Sequence, residues 1–64
     1  MYTVYNTYGI RGETNHRKFE AAVKARARCE GVGWVIYDES RQARVEPLPT
    51  PREGGGWDLI PRIV

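Results

Sequence analysis

The chain has 64 residues, 41% hydrophobic and 28% charged, a balance that fits one small globular domain and excludes a disordered or fibrous chain. Ten Lys and Arg against eight Asp and Glu leave a net charge of +2, too little to argue for nucleic acid, so the placement of the charges has to decide that question. A lone cysteine, Cys29, excludes an internal disulfide; with no run near the ~18 apolar residues of a membrane span and no secretory pattern from Met1 to Asn6, the expected setting is the cytoplasm.

Residues 2 to 8, Tyr-Thr-Val-Tyr-Asn-Thr-Tyr, are rich in β-branched and aromatic side chains. They predict a first strand with Tyr2, Val4, Asn6 and Tyr8 on one face and Thr3, Tyr5 and Thr7 on the other. Gly9-Ile10-Arg11-Gly12 supplies a turn, and Thr14 or Asn15 is placed to cap a helix. That helix is predicted from His16 to Glu30, a stretch without Gly or Pro that Gly31 closes. At about 100° per residue, Phe19, Ala22, Val23 and Ala27 share the core side, with Cys29 at its flank. Arg17, Ala21, Lys24 and Arg28 fall opposite. Arg26 points into the apolar arc, which reads either as a stem laid along the core edge with its guanidinium in water or as a buried partner for a carboxylate.

Val32 to Tyr37 predicts a second strand, Asp38 to Gln42 a polar loop, and Ala43 to Glu46 a third strand. This is an antiparallel hairpin with Val45 inward and Arg44 and Glu46 outward. With strand one beside strand two through a right-handed crossover, the expected fold is α+β: a small β-α-β-β domain, a three-stranded sheet with one helix packed on one face. Pro47, Pro49 and Pro51 then favour an extended segment unsuited to an interior strand. The core domain is therefore expected to span 1–46, and 47–64 to be a Pro/Gly-rich linker and apolar tail, jointed at Gly54-Gly55-Gly56 and ending in Trp57 to Val64.

No residue set here supports catalysis. His16 and Cys29 are the only strong nitrogen or sulfur ligands, and a structural zinc takes four, so no metal is expected. At roughly 1.5 Å per helical residue, they lie some 20 Å apart in one helix and cannot form a nucleophile–base pair. The eight carboxylates are scattered, and the glycine run lacks the lysine and strand-to-helix setting of a phosphate loop. Neither an enzyme nor a cofactor is expected.

Binding has three candidate surfaces. Arg17, Lys24 and Arg28 form a basic stripe suited to phosphates, to an acidic protein surface, or to solubility alone. Tyr5, with Trp34 or Tyr37, is expected on the sheet face turned away from the helix, and aromatic residues dominate binding hot spots. Trp57 heads a tail that either folds back over those rings or assembles copies of the chain.

From Arg17 to Val45, the run Phe19-Glu20-Ala21-Ala22-Val23 leading a helix and Gly33-Trp34-Val35-Ile36-Tyr37-Asp38 after it resemble the helix–hairpin unit of short phage and mobile-element proteins, a class that includes anti-CRISPR and other host-takeover inhibitors. The resemblance implies stoichiometric occlusion of a host protein and transfers no site residue. The expectation is a non-enzymatic protein-binding inhibitor of a host protein with an acidic or nucleic-acid-binding surface. A small nucleic-acid-binding protein comes second, and a homo-oligomeric structural subunit third.

Overall fold

Alternation from Tyr2 sets the first element, and in the computed structural model, which describes residues 1–64, Tyr2–Asn6 is β1. The chain reverses and Thr14–His16 forms β2, antiparallel to β1 with Val4 opposite Thr14 and Tyr2 opposite His16. Helix α1 covers Phe19–Arg28, β3 is Trp34–Asp38, β4 is Ala43–Pro51 and β5 is Trp57–Ile63. The five strands make one sheet in the order β2-β1-β3-β4-β5, every neighbouring pair antiparallel.

This corrects the expected three-stranded β-α-β-β sheet at two places. The helix starts at Phe19, not His16, and the residues expected to cap it form a strand instead. Thr14 and Asn15 spend their side chains within the sheet: Asn15 Oδ1 lies 2.8 Å from the Thr3 hydroxyl, and Thr14 Oγ1 lies 2.8 Å from His16 Nε2. Lys18 takes the N-cap position and makes no side-chain cap bond. Because β1 pairs antiparallel with both β2 and β3, those two strands run parallel. The crossover therefore leads from β2 to β3 with β1 between them, not from β1 to its neighbour.

The second correction concerns the C-terminal residues. β4 runs through position 46 to Pro51, and Trp57–Ile63 pairs with it from Val45–Ile63 to Pro51–Trp57. Prolines are tolerated there because of their phase. The Val64 amide donates to Arg44 O at 3.1 Å and the Arg52 amide to Gly56 O at 3.0 Å, so even-numbered pairs carry the β4–β5 hydrogen bonds. Pro47, Pro49, Pro51 and Pro61, all four prolines of the chain, fall at the odd positions, where no N–H is asked for by the partner strand. The same phase turns the missing N–H of Pro47 toward β3. Pairing of β3 with β4 ends at Ile36–Val45, one bonded pair short of Trp34 and Pro47. Past Val45 the two strands part.

The core is small: Val4, Phe19, Ala22, Ile36 and Val45 are buried, and Tyr2, Val23, Ala25, Cys29, Trp34 and Leu59 pack around them. Phe19 meets the Tyr2 ring with centroids 5.2 Å apart. The helix buries Phe19 and Ala22, and its wheel is rotated from the expected one: Ala25 is half-buried and Ala27 exposed. Cys29 is half-buried and its thiol donates to Ala25 O at 3.3 Å, a structural contact. Gly12 is required beside Trp34, since a Cβ there would come within 2.9 Å of the indole. No helix is long and apolar enough to cross a membrane.

Candidate functional site: the open sheet face and its neighbours

Helix α1 covers one face of the sheet, and register decides which side chains point the other way. Val4, Ile36 and Val45 face the helix, so their odd-even neighbours Thr3, Tyr5, Val35, Tyr37 and Arg44 line the opposite face. Thr3 stands opposite Tyr37, Tyr37 opposite Arg44, and Tyr5 opposite Val35. The two tyrosines therefore sit diagonally across β1 and β3, near the middle of a face that no other element covers. Tyr37, not Trp34, is the second ring of this face: Trp34 points toward the helix side, where its indole donates to Glu30 O at 2.9 Å.

Thr3, Tyr5, Glu13, Tyr37 and Glu39 line an open groove of about 360 Å³ on this face. Its floor is rigid. Thr3 is buried, with its hydroxyl 2.8 Å from Asn15 Oδ1 and 3.1 Å from Glu39 Oε1. Arg44 Nε donates to the Tyr5 hydroxyl at 3.2 Å, and its guanidinium carbon lies 6.0 Å from the ring centroid, which fixes Tyr5 from the β4 side. Beyond the point where β4 leaves β3, the same side of the β4–β5 ribbon carries Leu48 and Ile60, a cross-strand pair that is 42% and 45% exposed. Aromatic and aliphatic contact area thus adjoins two carboxylates and one arginine.

The predicted basic stripe is only partly built. Lys24 and Arg28 are exposed on α1, one turn apart, while Arg17 is exposed but precedes the helix by two residues, so it lies outside the helical face. Arg17, Lys18, Lys24, Arg26 and Arg28 enter no ion pair; the three pairs present are Arg41–Asp38, Arg52–Asp58 and Arg62–Glu46. Lys24 and Arg28, exposed on the helix, stand on the side of the sheet away from the tyrosine groove.

Trp57 does not fold back over Tyr5 and Tyr37. It opens β5 opposite Pro51, in phase with Val45 and Ile63 on the helix-facing side, and is 64% exposed. Sequence reasoning also missed a cleft of about 210 Å³ where β4 leaves β3, lined by Arg26 together with Val35, Arg44, Val45 and Glu46. The signal that would have found it is the phase of Pro47.

Comparison with protein-family models, with curated proteins and with solved structures finds no match for this chain.

Proposed function

We propose that the chain is a non-enzymatic protein-binding module whose partner docks on the open sheet face, with the Tyr5–Tyr37 groove at the centre of the contact. The observation that carries this reading is that groove: two half-buried tyrosines held side by side on the paired strands β1 and β3 and uncovered by any element. Rigid aromatic side chains give large contact area for little conformational entropy, and they concentrate binding energy. The helix–hairpin resemblance supplies the role, a phage or mobile-element inhibitor that occludes a host defence or nucleic-acid-handling protein in the host cytoplasm.

The test is capture from a lysate of the source cell with the wild type and with a Tyr5→Ala/Tyr37→Ala variant, its fold checked by circular dichroism. The expected result is one protein retained at equal stoichiometry, with affinity reduced about tenfold or more in the variant. Equal retention by both proteins overturns the reading.

A second reading, nucleic-acid binding, is favoured by the five unpaired cations from Arg17 to Arg28. Salt separates the two, because phosphate contacts weaken steeply as ionic strength rises and aromatic burial does not. Assembly of copies through the C-terminal segment has less support. Its strand β5 already pairs within the chain, and Arg41 and Arg52 donate to the outward carbonyls of Pro61 and Trp57, at 3.2 and 3.0 Å.

A further inference from the structure

Arg26 stands within the apolar arc of α1, beside Ala22 and Val23. It is half-buried, and no carboxylate of the chain pairs with it. What it lines instead is the cleft of about 210 Å³ between β3 and β4. Trp34, Val35, Val45 and Val64 give that cleft apolar walls, and Arg44 and Glu46 are its other charged members. Glu46 is already engaged by Arg62, 3.6 Å away, and Arg44 donates to the uncharged Tyr5 hydroxyl. The lining therefore holds two guanidinium groups and one carboxylate whose charge is shared with a third arginine.

We propose that this cleft binds an oxyanion, a carboxylate or a phosphate, with Arg26 as its principal ligand and Arg44 as the second. An arginine offers a planar fork of donors that matches either group, and low-polarity walls strengthen such a contact. At about 30 Å³ per water, the space corresponds to about seven waters, room for either oxyanion with a short stem. The cleft has a structural cause. Pro47 presents no N–H to β3, the ladder stops at Ile36–Val45, and the strands separate at the level of Arg26. This site does not rest on docking at the open face, since it needs no protein partner to fill.

The test follows backbone amide shifts of the full chain by NMR during titration with sodium phosphate and, separately, sodium acetate, at ionic strength held constant with sodium chloride. Saturable shifts are expected at Val35, Val45 and Val64 with at least one of the two. Saturation by phosphate alone assigns a phosphate ligand, and saturation by acetate assigns a carboxylate. Arg26→Gln is expected to weaken binding about tenfold or more. Arg26→Lys, which keeps the charge and loses the fork, weakens it less and serves as the readout if the glutamine variant does not fold. Lys24→Gln, on the exposed side of the same helix, leaves the titration unchanged. Linear shifts with both anions, or saturation unaltered by both Arg26 substitutions, overturn the site and leave Arg26 as a stem along the core edge.

Discussion

Placing a proline at Ile60 and, separately, at Ile63 tests the phase of the β4–β5 ribbon. The two positions are alike in residue type, strand and exposure, at 45% and 55%. They differ in phase: Ile60 belongs to an even, hydrogen-bonded pair with Leu48, whereas the Ile63 amide points to the free edge of the sheet. Ile60→Pro removes a ladder bond of about 0.5–1.5 kcal/mol net and sets the proline ring against the Leu48 carbonyl, at a strain on the order of 1 kcal/mol, while that exposed carbonyl keeps the Thr50 hydroxyl as a donor at 3.2 Å. The expected loss is about 1.5–2.5 kcal/mol. For 64 residues the whole stability is on the order of 3–10 kcal/mol, so this is a sizeable share of it. Thermal unfolding followed by circular dichroism should show a fall on the order of 5–20 °C for Ile60→Pro. Ile63→Pro should cost less than about 1 kcal/mol, because no bond is lost and the chain already carries four prolines in that phase. Equal losses at the two positions would refute the phase argument.

Two further outcomes follow from the core and from the β3–β4 turn. Ile36 is fully buried at the centre of the sheet, so Ile36→Ala should cost about 2–5 kcal/mol and Ile36→Val about 0.5–1.5 kcal/mol in urea unfolding; an alanine variant as stable as the valine one would contradict its place in the core. Gln42 is the only non-glycine residue at positive φ, 52°, and Gln42→Gly should stabilise the chain by about 0.5–1 kcal/mol by relieving the left-handed backbone. A lower urea midpoint for Gln42→Gly would show that this turn carries no such strain.

Period-two patterning made β1, β3 and the start of β4 legible, and the loop Asp38 to Gln42 gave their hairpin. The helix was legible in type and not in its first turn. Thr14 and Asn15 are good caps and equally good edge-strand residues, and their choice is made by the open edge of β1, which no local signal announces. The C-terminal half of the sheet was hidden by a rule applied one step too early. Prolines at 47, 49 and 51 do bar an interior strand, and β4 beyond Val45 has no partner on its β3 side. Yet their spacing of two is the period of a strand, and it puts every missing donor on the side that needs none. Of the candidate site, Tyr5 followed from alternation, which left its companion open between Trp34 and Tyr37; strand pairing puts Tyr37 beside it. Arg17 was misplaced with the helix start. Arg26 stood out as a cation in an apolar arc, but its cleft depends on a strand separation that only the register reveals.

The phase of the prolines also bears on whether another strand can add to this sheet. A sheet with a long free edge invites another strand, and each edge here is blunted. On β5 the outward carbonyls of Trp57 and Pro61 are taken by Arg52 and Arg41, and Pro61 has no N–H to offer. Along β4, the edge left bare where β3 departs is the row Pro47, Pro49 and Pro51. At the other end β2 is three residues long. Main-chain pairing with a partner or with a second copy is thus hindered along much of each edge, while the side chains of the uncovered face are left free. On the proposed reading, a partner would meet side chains and not a sheet edge, and substitutions on the Tyr5–Tyr37 face are the ones expected to change its binding.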